Sequence, residues 1–236
     1  MISAAEIVRR ILGAPAPVLL PDTCALLDLM RDPTRENFSS DQIFAAKRLL
    51  QMAQSRPKTL WIPIAAQVLT ERASNHENIK KEAESKIFKL EEHIKQTQRI
   101  MAAHGLHTSA IAPSLVATDF PAIASTLVDE FFVAGPHLRK PRDIDRRANA
   151  RMAANIAPSK KGQQTKDCIV IESYLSLARL LRQSGGLHKV AFLTTNTRDY
   201  SDPARTGSVH PDLQAEFDAL NVGYCVNFQM AEHYLF

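Results

Sequence analysis

An apolar run that stops abruptly at an acid is the feature that most constrains this chain. Val18, Leu19 and Leu20 are followed at once by Pro21, Asp22 and Thr23. A short, unbroken apolar run bounded by proline and turn-forming residues is the pattern of a buried strand. In an open α/β sheet, sites form outside the carboxyl ends of the strands. Asp22 stands at that end, so the rest of the sequence is read for acids brought to meet it.

Helical and strand patterns then alternate. Residues 2–11 carry Ile2, Ile7 and Ile11 on one side of a short amphipathic helix. Helices are expected over 24–30, 41–54 and 63–74, with a strand, Thr59 to Ile62, before the last of these. Pro63 suits a first helical turn, and Glu71 falls about two turns in. From Asn75 to His104 the chain is charged, but Ala83, Ile87, Leu90, Ile94, Thr97 and Met101 recur at alternating steps of four and three. That seam must pack on something. Two partners are open: the apolar stretch 121–133 as the return arm of a helical hairpin, or a second copy of the chain as a homodimer. After a proline-rich basic stretch with a short helix over 144–155, a helix is expected over 167–183, a strand over 190–194, a loop over 195–200, a helix over 213–220 and a last strand over 222–228. Strands alternating with helices imply an α/β fold with a mostly parallel central sheet, in a three-layer α/β/α sandwich. The expected organisation is one domain, 1–236, with a helical insertion at about 75–135 and a basic connector at about 136–166.

With 45% hydrophobic residues the chain can bury a core, and with only 6% aromatic that core is mainly aliphatic. The start of the chain, with Glu6, Arg9 and Arg10, lacks an apolar signal region, and no run approaches a membrane span. A cytoplasmic location is expected. The three cysteines, Cys24, Cys168 and Cys225, fit no metal spacing and are read as reduced core thiols. The eight histidines suggest no triad, and His188 and His210 are expected at the surface. The net charge is +4, and between Gly135 and Lys166 nine Lys or Arg residues face two Asp. Such a run is either a solvated face or a nucleic-acid contact.

Four places carry acids with chemical promise: Asp22, Glu71, Asp167 and the loop holding Asn196 and Asp199. Each has a plainer reading. Asp22 and Asp167 could cap helices, Glu71 could be an exposed helix acid, and Asp199 could serve a turn. If they share one cleft, their repulsion calls for a divalent cation, and oxygen-only ligands suit Mg²⁺ or Mn²⁺. A metal so held can activate water toward a phosphodiester.

The order of these segments resembles the PIN-domain nucleases. The resemblance rests on the strand ending in Asp22-Thr23, on Pro63, Val68 and Glu71, on Lys166 to Glu172, and on Phe192 to Tyr200. Lys160-Lys161-Gly162 is similar to a longer subgroup with a helical insertion. The resemblance implies a Mg²⁺- or Mn²⁺-dependent endoribonuclease, acting as a toxin with an antitoxin partner or as a defence effector. Asp22, Glu71 and Asp167 would be the metal-binding acids, with Thr23 and Thr194 as the polar residues that accompany them. Asn196 stands where an Asp is often found, and Asp199 follows three residues later, so either could complete the catalytic set. Lys160, Lys161, Lys166, Arg146 and Arg147 are expected to hold RNA. The competing readings are a structure-specific DNA nuclease and a PIN-like module that binds RNA or protein without cutting.

Overall fold

The computed structural model describes every residue except 37, 107–113 and 160–163, and the side chain of Thr206. Lys160 and Lys161 therefore lie outside the described residues. Helix α1 (Ala4–Gly13) opens on Ser3, whose hydroxyl accepts from the Glu6 N–H at 3.2 Å, and it buries Ile7, Val8 and Ile11. Each such side chain contributes about 1.5–3 kcal/mol by leaving water. The chain then enters β1 (Val18–Pro21), buried along its length, and turns through α2 (Thr23–Asp28) and α3 (Ser40–Gln54).

The next segment corrects the sequence reading. Residues 59–62 do not form a full strand, and only Trp61 bridges to Val18. The strand is β2 (Ile64–Ala65). The helix expected from Pro63 instead begins at Ala66, because Ile64 and Ala65 are held extended by parallel pairing with β3 (His137–Leu138). From there α4 (Ala66–Ala103) runs 38 residues without interruption. The helix expected to end at Ser74 and the charged segment after it are one element, since no Gly or Pro interrupts them. A short 3₁₀ turn, Val116–Thr118, leads into α5 (Phe120–Ala134).

Helix α5 is the return arm. It packs on the first half of α4, where Arg72 pairs with Asp129 and His76 Nε2 lies 2.9 Å from Ser125 Oγ. Of the seam, Ala83 and Ile87 are buried, whereas Leu90 and Met101 remain 36% and 37% exposed.

Helix α6 (Ile144–Ala153) packs on α7 (Thr165–Gln183). Strand β4 (Val190–Leu193) follows, then α8 (Thr197–Tyr200), an antiparallel hairpin of β5 (Ser201–Asp202) and β6 (Arg205–Val209), α9 (Pro211–Leu220), β7 (Val222–Cys225) and α10 (Phe228–Leu235). The β5–β6 hairpin and α10 were not anticipated. The last strand stops at Cys225, and Asn227 caps α10 by accepting from the Met230 N–H at 2.8 Å. His210 is not at the surface. It is 5% exposed and caps α9, its Nδ1 accepting from the Asp212 N–H at 3.1 Å.

The fold is α/β. The central sheet is parallel, in the order β1-β4-β7. Pro21 pairs with Leu193, and Leu193 with Cys225, so the three strands end level. Phe192, in the middle strand, packs against Tyr174, Tyr200 and Phe217, with ring centroids 6.1, 5.1 and 6.1 Å away. Among the described residues no helix is long and apolar enough to cross a membrane.

Gly135 joins α5 to β3 where there is no room for a side chain. A Cβ there would stand 1.7 Å from the Ile62 carbonyl oxygen. Gly135→Ala should therefore force the backbone apart and lower stability by roughly 1–3 kcal/mol, the cost typical of overpacking. Urea unfolding of the variant beside wild type checks this.

Candidate metal centre

Asp22 follows β1 directly and is 2% exposed. It is the N-cap of α2, as the plainer reading held: its Oδ1 accepts from the Thr23 N–H at 2.7 Å. Its Oδ2 does something else. It accepts from the Thr194 hydroxyl at 2.9 Å and from the Cys24 thiol at 3.0 Å. Thr194 is the first residue past β4, so the level strand ends bring these side chains together. The Asp22 N–H also continues the ladder to the Leu193 carbonyl at 2.8 Å.

Asp167 is not a helix cap. It lies in the first turn of α7, whose N-cap is Gln164. A carboxylate is favoured there by the helix dipole. Glu71, on the second turn of α4, is half-buried and accepts from Gln67 Nε2 at 2.9 Å. Asp199 accepts on both oxygens, from Gln164 Nε2 at 3.0 Å and from Asn196 Nδ2 at 2.9 Å. The competition between Asn196 and Asp199 thus becomes a division of labour. Asp199 brings the charge, and Asn196 holds it, with the Asn196 N–H bonded to Thr194 Oγ1 at 3.1 Å.

Two of the four acids, Asp22 and Asp167, feel the others. Burial pushes the Asp167 carboxyl up to about 7, and repulsion from Asp22, Glu71 and Asp199 adds to the shift, against a smaller opposing effect of Lys166. Burial also raises Asp22, with Glu71 repelling it, while bonds from Cys24, Thr194 and Thr23 pull the other way. No described Lys, Arg or His forms an ion pair with any of the four. Two buried oxygens beside them, Thr23 Oγ1 and Gln164 Oε1, have no hydrogen-bond partner among the described residues. Such an orphan costs about 1–3 kcal/mol. An oxygen-rich, unneutralised acid group of this kind fits a hard divalent cation. As they stand, no three or more Asp, Glu, His or Cys side chains among the described residues are placed to hold a metal ion together.

The expected RNA-holding residues divide. Lys166 is exposed, and the Arg146 side chain is 81% exposed. Arg147 is engaged internally, 2.7 Å from Glu172 Oε2 and 2.7 Å from Ser176 Oγ. Arg151, from the same basic run, is buried and binds Glu172 at 2.7 Å, Glu216 at 2.6 Å and the Ala157 carbonyl at 3.0 Å. Sequence reasoning passed over Arg198, exposed beside Asp199. It also passed over Cys24, whose place two residues after an N-cap turns its thiol back onto that cap. All three cysteines are free thiols.

No protein-family model matches the chain, and neither a curated protein nor a solved structure matches it.

Because Asp167 holds its proton up to about pH 7 when folded and only to about 3.8 otherwise, the folded state binds more protons between those values. Stability should therefore fall as pH rises from about 4 to about 7. Thermal unfolding in EDTA should show this decline. Asp167→Asn should flatten it, and added Mn²⁺ should restore the wild-type melting temperature at pH 8.

Proposed function

We propose that this protein is a divalent-metal-dependent endoribonuclease with a PIN-like three-layer architecture, in which α5 and the distal part of α4 are an insertion. The observation that carries this reading is the convergence of acids on two buried carboxyls: Asp167 is repelled by Asp22, Glu71 and Asp199, and Asp22 by Glu71. The four acids come from four separate elements, and Asp22 lies at the level end of a parallel sheet. A purely structural site has no use for four carboxylates without a compensating cation. Further support comes from the orphaned Thr23 hydroxyl beside Asp22.

Asp22, Glu71, Asp167 and Asp199 would hold Mg²⁺ or Mn²⁺, which when bound polarises a phosphodiester and lowers the pKa of an attacking water. The chain's own residues do the rest. Thr194 and Cys24 fix the Asp22 carboxylate in one orientation. Asn196 and Gln164 do the same for Asp199. Lys166 and Arg198 flank the acids as exposed cations and hold the nucleic-acid backbone without reading its sequence. In the toxin form of this reading, an antitoxin protein would block that approach.

Labelled RNA, single-stranded DNA and a DNA flap, each incubated with the protein and Mn²⁺, test the proposal. RNA should be cut, EDTA should stop the reaction, and Asp22→Asn should reduce it at least 100-fold while remaining folded. The Asn Oδ1 can still accept from the Thr23 N–H, so the cap survives. Cleavage of the flap alone would mean the DNA reading. RNA binding with no metal-dependent cutting would mean a non-catalytic module.

The two flanking cations make a separate expectation. Lys166→Ala and Arg198→Ala should each reduce the slope of log binding constant against log salt by roughly 0.7–1. Fluorescence anisotropy with a metal-free, labelled RNA reads it directly.

A further inference from the structure

Two tyrosines beside the acid group are buried to the hydroxyl. Tyr174, on α7, is 1% exposed, and Tyr200, at the end of α8, is 0% exposed. Both rings pack on Phe192, where phenylalanine would fill the same space. A hydroxyl in such a place costs free energy unless it is bonded, and both are bonded to backbone next to an acid.

The Tyr174 hydroxyl donates to the Pro21 carbonyl at 2.7 Å and accepts from the Ala65 N–H at 3.2 Å. Pro21 immediately precedes Asp22. Ala65 is the N-cap of α4, the helix that carries Glu71 on its second turn. One oxygen therefore ties the end of β1 to the start of α4, although the two acids are far apart in the chain. The Tyr200 hydroxyl donates to the carbonyl of Asp167 itself at 3.1 Å, and Tyr200 directly follows Asp199. This second bond ties α8 to the first turn of α7.

We infer that these hydroxyls are positioning groups that set the separations among Asp22, Glu71, Asp167 and Asp199, and so set the affinity of the centre for a divalent cation. The inference rests on the metal-binding reading above. The physical reason for such a device is the repulsion within the acid group. Before a cation binds, the carboxylates drive one another apart, and a fixed spacing has to come from bonds that do not involve the carboxylates. Bonds from buried hydroxyls to backbone meet that need, because they occupy no carboxylate oxygen. Partners bonded to the ligands themselves are worth about 10- to 100-fold in metal affinity, and these hydroxyls act one step further out, through the backbone.

The test is Mn²⁺ binding to the full chain by isothermal titration calorimetry, with the melting temperature in EDTA measured alongside. Tyr174→Phe should weaken Mn²⁺ binding several-fold, and Tyr200→Phe should weaken it in the same direction. Phe217→Leu is the control. It loosens the same aromatic cluster through Phe192 without touching either tie, and should lower the melting temperature while leaving Mn²⁺ affinity within about two-fold of wild type. If Tyr174→Phe does not fold, Tyr200→Phe, which removes a single bond, carries the test. Tyrosine variants that melt earlier but bind Mn²⁺ as wild type does would overturn the inference and leave the metal site standing. A wild-type protein that binds no Mn²⁺ would remove the site, and with it the inference.

Discussion

The N–H of Asp22 donates to the Leu193 carbonyl, and the carboxylate of Asp22 accepts from the hydroxyl of Thr194. These two bonds extend the β1–β4 pairing one step past the strands. Everything at the candidate centre depends on that extension. It sets Asp22 in a single orientation, seats Cys24 on the same carboxylate, and leaves Thr194 Oγ1 free to accept from Asn196, which in turn holds Asp199. Parallel strands that end level make this possible, because each delivers its next residue to the same edge of the sheet.

The centre is held in electrostatic tension. Burial raises the proton affinity of Asp22 and Asp167, and repulsion from the neighbouring acids adds to it, while two arginines of the basic connector are occupied elsewhere. Arg147 and Arg151 are bound to Glu172, which points them into the α6–α7 packing and away from a role as counter-ions. The basic connector is therefore partly a structural device. Breaking one side of a buried ion pair leaves the other charge uncompensated, so this network holds α6, α7 and α9 as a unit.

The pair of α4 and α5 has a different logic. The first half of α4 belongs to the core, with Val68 buried and Ile79 and Ala83 covered by its neighbours. Its seam continues past that cover, with Leu90 and Met101 partly exposed. A single unbroken helix spans both environments because no Gly or Pro interrupts it. Periodicity reports that an apolar face exists. It does not report where along the helix the partner ends.

The sequence by itself determined the elements that carry the acids, because strand and helix patterns and their Pro and Gly boundaries are local signals. Asp22 at a strand end, Glu71 on a helix, Asp167 at a helix start and Asp199 past a strand were all legible in this way. Local signals failed where a distant pairing intervened. β3 held Ile64 and Ala65 extended. The last strand formed over Val222–Cys225, and its expected end was cut short by a local signal, the Asn227 cap of α10. Only the tertiary structure decided which groups meet. The Asp22–Thr194 bond spans 172 positions, and the Tyr174–Pro21 bond spans 153. Contacts at that separation depend on strand order and register, which no short stretch of sequence encodes. For the same reason the ties made by the two tyrosines, and the Arg151–Glu216 pair, emerged only in the assembled fold.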